Sequence, residues 1–218
     1  MTIKEAMKER HMVRKYVDKK IPEDLVSKLN ERIEENNKKY DLSIKLMLDN
    51  DKAVNSIIKL LLAKGVKNYI ILAGNDTDDL AEKLGYSSAD IMLYAQTLGL
   101  NTWYVGGTFN RGVSKYVPNK KVIGIVAIGY GINNGIAHKS KTLEEVSSYD
   151  GTMPEWFKNG ILASLLAPTA LNKQDYRIFG KGNKVKIEID NGIFTGANKG
   201  LIKYHFELGA GKESFEWE

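Results

Sequence analysis

No cysteine occurs among the 218 residues. That excludes disulfides, thiol nucleophiles and cysteine-based metal sites, and it allows a reducing compartment. Histidine is scarce as well. His11, His138 and His205 are the three present, too scattered to form a ligand motif, so no metal site is expected. No apolar run approaches the roughly 20 residues that a membrane-spanning helix needs. The opening Met1-Thr2-Ile3-Lys4-Glu5 is charged, with no apolar signal segment behind it. The expectation is a cytoplasmic protein without a membrane partner. A Gly-x-Ser-x-Gly elbow and a Gly-x-x-x-x-Gly-Lys-Ser/Thr loop are both missing. The run Gly129-Tyr130-Gly131-Ile132-Asn133-Asn134-Gly135 resembles a dinucleotide fingerprint, but its last glycine comes one residue late and no apolar-faced helix follows.

What is present is an ordinary globular composition, 43% apolar and 27% charged. The length suits one domain over residues 1–218. The net charge of +5 fits a lysine-rich solvated surface or a preference for anionic ligands such as phosphates. No basic run interleaved with aromatics argues for nucleic acid.

The central stretch runs from Asp76 to Gly107. Leu80, Leu84, Ala89, Ile91, Met92, Ala95 and Leu98 recur at helical spacing, with Asp76 or Thr77 as caps and Gly99 as the stop. Gly85 is the expected weak point. Apolar residues from Ala89 to Leu98 occupy several faces, so the second half of this helix is expected to be buried all round. Asn101 to Val105 reads as a strand ended by Gly106-Gly107. Elsewhere, helices are expected at Ile3–Met7, from Pro22, over Asp51–Lys64, near Phe109–Val117, from Pro154 to Leu166, and over Gly196–Leu208. Strands are expected at Leu42–Leu48, Tyr69–Ala73, Val122–Tyr130, Tyr176–Phe179 and Val185–Ile189. Gly131–Thr152 reads as a mobile loop. No sustained internal repeat stands out.

Arg10 and Arg14 stand four apart, on one face if the first helix continues. Two such cations serve a phosphate, two acidic side chains or a solvated surface. Thr169, Asn172 and Gln174 put a hydroxyl and two amides close together, suited to reading a heterocycle edge or to closing a turn. Together these are binders of phosphate and rings without a recognisable acid, base or nucleophile. That pattern is expected where a bound cofactor does the chemistry.

Four segments resemble the nitroreductase family of flavoproteins. Arg10-His11-Met12-Val13-Arg14-Lys15-Tyr16 with Ile21-Pro22 is similar to its Arg-x-Ser-x-Arg-x-Tyr/Phe…Ile-Pro opening. Leu98 to Gly107 resembles its Leu-Gly-Leu-Gly-Thr-x-Trp-x-Gly-Gly segment. Ala127-Ile128-Gly129-Tyr130 resembles a strand ending in Ile-Gly-Tyr. Ala167 to Phe179 is similar to its Ala-Pro-Ser-Ala-x-Asn-x-Gln-Pro-Trp-x-Phe loop. That loop comes late in this chain, an apparent permutation that resembles the TM-type subgroup. Met12, Asn101, Thr169 and Asp175-Tyr176 depart from the pattern.

The resemblance implies an α+β nitroreductase-like fold, with a central mixed or antiparallel sheet flanked by helices and a long buried central helix. It implies FMN as cofactor, NAD(P)H as reductant, a nitroaromatic, quinone or similar small-molecule acceptor, and a homodimer joined through the long helix. Residues implied at the cofactor are Arg10 at the phosphate and Arg14 at the ribityl chain or pyrimidine edge. His11, Met12, Gly106, Gly107, Pro168, Thr169, Asn172 and Gln174 complete the set. The alternative expectation is a non-catalytic flavin-binding protein that stores or senses FMN.

Overall fold

The computed structural model describes residues 1–54, 58 and 63–218. Half of the helix expected over 51–64 lies outside the described residues; Asp51–Ala53 forms a 3-10 turn. The chain opens with α1 (Ile3–Glu9), where Thr2 and Glu5 cap each other's backbone amides. The helix stops at Glu9, so Arg10 to Tyr16 runs extended and its two arginines do not share a helical face.

Next come α2 (Glu23–Tyr40), β1 (Lys45–Met47), β2 (Tyr69–Gly74), α3 (Leu80–Thr97), β3 (Asn101–Val105) and β4 (Lys121–Gly129). A 3-10 turn over Arg111–Tyr116 meets the expectation of a short helix there. Beyond β4 lie α4 (Leu143–Val146), β5 (Ser147–Asp150), α5 (Glu155–Ser164), β6 (Tyr176–Lys181), β7 (Lys184–Ile189), α6 (Thr195–Ala210) and β8 (Glu216–Trp217). The stretch expected as one loop over 131–152 thus holds a capped turn of helix and a paired strand. Its polar composition masked the Thr142–Glu145 capping box.

Among the described residues the strands form two four-stranded sheets. The first, ordered β1-β2-β4-β3, is antiparallel throughout. The second, ordered β5-β6-β7-β8, is mixed. In the first sheet Ile70 and Leu72 face one apolar cluster, while Tyr69, Ile71 and Ala73 face another. A strand covered on both faces has no solvated side to alternate with, hence the unbroken apolar run.

The long helix α3 is central and buried as expected. All seven residues from Ser87 to Leu93 are buried. It does not break at Gly85. A side chain there would collide with the Ala197 carbonyl of α6, and one at Gly200 would collide with the Glu82 carbonyl. Both glycines therefore let two helix backbones approach. Glu82 meets Lys199 at 2.8 Å and Lys203 at 2.6 Å, Tyr86 donates to Glu207 at 2.5 Å and Tyr204 donates to Asp90 at 2.7 Å. From Gly196 beside Ala81, through Gly200 beside Tyr86, to Tyr204 bonded to Asp90, positions advance together along both helices, so α3 and α6 run in the same sense. The many-sided apolar surface of α3 is covered by its own chain. No helix among the described residues is long and apolar enough to cross a membrane.

Candidate functional site

The extended segment after α1 is held by backbone pairing. Met12 bridges Thr102 at the start of β3, Val13 N donates to Thr102 O at 3.2 Å, and Tyr16 N donates to Lys64 O at 2.9 Å. This fixes the backbone of the segment carrying Arg10 and Arg14 beside the first residues of β3.

Arg10 is 6% exposed. Among the described residues its guanidinium has neither a hydrogen bond nor a carboxylate partner. Burial pulls its pKa down to about 10, so it stays charged at neutral pH. The Arg14 guanidinium lies 5.4 Å from the Trp103 ring centroid, and its Nε is buried without a partner. Thr102 Oγ1 and His205 Nε2 are buried and unpartnered too. His205, on α6, gives its Nδ1 to the Leu201 carbonyl at 2.8 Å, which sets the tautomer with a bare Nε2. Burial above all, with the charges of Arg10 and His138, holds its pKa down to about 3.

A buried cation without counter-charge is costly, and Arg10 is one; Arg14 is half-buried, with only its Nε sealed from solvent. Chemically, these unpartnered groups can receive an anion at Arg10 and polar atoms at Arg14 and Thr102. His205, His138 and Thr102 were not singled out as ligand contacts by the sequence. Thr102 lies inside the quoted motif and was within reach; nothing in the sequence marks His205 as a neighbour of Arg10.

The loop after α5 joins this cluster through residues 131–142. Gly135 packs on His11 and Met12, His138 Nε2 meets the Leu165 carbonyl at 2.9 Å, and Asn172 Nδ2 donates to Lys139 O at 2.7 Å. Thr169 Oγ1 accepts from Gln174 N at 3.3 Å. Gln174 is 1% exposed. Its Oε1 accepts from Lys141 N at 2.8 Å and its Nε2 donates to Asn172 at 3.1 Å. Its amide is therefore engaged within the protein at both ends. Leu171, Asn172 and Gln174 all hold positive φ, near +52°, a conformation costing a non-glycine residue about 1 kcal/mol. Pro168 is half-buried at the head of this loop.

Gly106 and Gly107 lie against Phe194 at the head of α6. A Cβ on Gly106 would stand 2.8 Å from the Phe194 ring and one on Gly107 3.3 Å. The space these glycines free is used by Phe194. Asn198, one turn further along α6, accepts from Ala170 N at 3.1 Å. So α6 links the glycine pair, the 168–174 loop and the arginine cluster. Two clefts among the described residues lie elsewhere: one of about 90 Å³ beside Tyr16, Lys67 and Gly129, the other of about 230 Å³ between α2, α3 and α6.

A family model described as "Putative TM nitroreductase" matches residues 2–210. A solved structure from Thermotoga maritima, described as a "putative nitroreductase", superimposes with a TM-score of 0.73 at 20% identity, covering 98% of this chain and 85% of that one. A "nitroreductase-like protein" from Streptococcus mutans gives 0.53 at 16% identity, over 65% of this chain and 94% of that one. A "putative NADH dehydrogenase/NAD(P)H nitroreductase" from Bacteroides thetaiotaomicron gives 0.52 at 16% identity, over 66% and 95%. These likenesses carry the fold. No curated protein sequence matches the chain.

Proposed function

Because this chain belongs to the TM nitroreductase family, we propose that it is an FMN-dependent oxidoreductase. On this reading it takes reducing equivalents from NAD(P)H and delivers them to a nitroaromatic, quinone or similar small acceptor. The reading treats residues 1–218 as one nitroreductase-like domain. The observation that carries it is Arg10, a buried guanidinium without a carboxylate among the described residues. Bound FMN would supply two-electron hydride chemistry that no side chain here offers.

The protein's own contribution is binding and orientation. Arg10 holds the phosphate, and charge-assisted hydrogen bonds of this kind contribute about 1.5–3 kcal/mol each. Arg14, fixed over Trp103, lies at the ribityl chain or the pyrimidine edge, where a cation favours added negative charge. Thr102 and Asn172 supply a hydroxyl and an amide. Gln174 keeps the loop in shape rather than touching the ligand, since its amide is already engaged. The name of the Bacteroides structure supports NAD(P)H as the reductant.

The test is the visible spectrum of the purified protein, with and without added FMN. A yellow protein with flavin fluorescence quenched on binding is expected. Arg10→Ala should weaken FMN binding roughly 10- to 150-fold with unchanged far-ultraviolet circular dichroism. A colourless protein that takes up no FMN ends the proposal.

A second reading is a flavin-binding protein without turnover. Phe194 favours it, since this ring covers the glycine pair where a substrate would approach. Steady NAD(P)H consumption with menadione excludes it. FMN uptake with no consumption selects it.

A further inference from the structure

His205 carries a buried nitrogen that the fold itself does not use. The residue is 1% exposed, its ring is held through Nδ1 at the Leu201 carbonyl, and its Nε2 has no partner among the described residues. Three segments bring it toward the arginines. Met7 on α1, Leu166 after α5, and Tyr204 and Leu208 on α6 pack into one small apolar cluster. Arg10 follows Met7 by three residues, His138 Nε2 meets the Leu165 carbonyl next to Leu166, and His205 follows Tyr204. The loop carrying His138 also lies on the arginine segment, with Gly135 against His11. Arg10, His138 and His205 thus converge from α1, the 131–142 loop and α6, and the charges of the first two reach the third.

Among the described residues no carboxylate balances this group. On α3, Glu82 is engaged by Lys199 and Lys203, and Asp90 by Arg32, Asn36 and Tyr204. On α6 itself, Glu207 accepts from Tyr86 and Trp217 and meets Lys212. Glu5, Lys8 and Glu9 of α1, Glu155 and Lys158 of α5, and Lys184, Lys186 and Glu188 of β7 are exposed.

A neutral imidazole whose Nδ1–H is committed offers only a lone pair at Nε2. An anionic phosphate oxygen also offers only lone pairs, so the two repel unless a proton stands between them. A phosphate monoester carries close to two negative charges above its second pKa of about 6. Arg10 balances one of them. The other, in the same buried surroundings, favours the charged imidazole. A phosphodiester, with a single charge already met by Arg10, makes no such demand.

We infer that His205 is a contact of the bound phosphate and carries its proton: a terminal phosphate seated at Arg10 draws one proton from solvent onto Nε2, which then donates to a phosphate oxygen. Binding is therefore tighter at pH 7 than at pH 8. That the phosphate belongs to a flavin rests on the reading above; the proton rests on the unpartnered nitrogen and on the carboxylates being spent elsewhere.

Calorimetric titration with FMN at pH 8, in two phosphate-free buffers of different ionisation enthalpy, counts the protons. Uptake of about one proton per FMN is expected, and Kd from flavin fluorescence should rise by up to about tenfold from pH 7 to pH 8. His205→Gln places an amide donor near the Nε2 position. It should still bind FMN, take up no proton and lose the pH dependence. No uptake by the wild-type chain would mean that a neutral hydroxyl meets Nε2, and overturns the inference. Undiminished uptake in His205→Gln puts the proton elsewhere and overturns it equally. Should His205→Gln bind no FMN or lose its cooperative urea transition, histidine nitrogen-15 spectra of the wild-type chain decide. His205 is neutral at pH 5 in the free protein. It must gain a proton when FMN is added at that pH, and a ring that stays neutral overturns the inference. If the wild-type chain takes up no FMN, inorganic phosphate replaces it at pH 8. Phosphate bound with proton uptake removes the flavin reading alone. Phosphate bound without uptake, or not bound, removes this inference as well.

Discussion

Single residues in this protein are poised by burial. His205 is held neutral in the folded state with a pKa of about 3, against 6.5 when free. Between those values the unfolded chain binds a proton that the folded chain refuses. Stability is therefore full above about 6.5 and falls with pH by up to about 1.4 kcal/mol per unit below it. Urea midpoints at neutral pH and at about pH 5 should show this slope, and His205→Gln should flatten it. Leu171 is 89% exposed at a φ of +53°, so it gains no packing and bears the left-handed strain. Leu171→Asn should hold or raise the melting temperature, by up to about 1 kcal/mol in stability. Asp90 is the opposite case. Asp90→Ala strips the carboxylate from Arg32, Asn36 and Tyr204. With Arg32 34% exposed at its side chain, water offsets part of the loss, and a cost of roughly 2 kcal/mol is expected in chemical denaturation.

At the scale of elements, the crossing of α3 and α6 is the least forgiving place. Gly200→Ala puts a methyl group against the Glu82 carbonyl and the Tyr86 amide. The helices must part, at a cost of about 1–3 kcal/mol or more, readable as a lower urea midpoint. Gly99→Ala meets no neighbour but has a φ of +77°, so its smaller cost is local strain. Most elements were legible in the residues. The period of Leu80, Leu84 and Ile91 set α3, Pro154 set the start of α5, and the apolar run Tyr69–Ala73 set a strand covered on both faces. Gly85 was misread because helix propensity concerns the isolated helix, and the reason for this glycine is a partner helix more than 100 residues away in sequence. At the site, the arginines were legible as a spaced pair. Their lack of counter-charge was not, because it depends on which carboxylates the fold keeps away.

For the whole molecule, the largest apolar cluster decides cooperativity. It takes Leu29, Ile33, Ile70 and Leu84 from the first half of the chain and Phe157, Ile178, Leu201 and Phe206 from the second half. This cluster ties the two halves together through one shared core, so the chain should melt in one step, with far- and near-ultraviolet dichroism coinciding. The two helices that meet through glycine at the middle of this core also set which parts of the molecule breathe. Backbone amides from Ser87 to Leu93, sealed on every side, have no partial opening through which deuterium could reach them. They should be the last to exchange, at the rate of complete unfolding, while the amides of residues 131–142 exchange early.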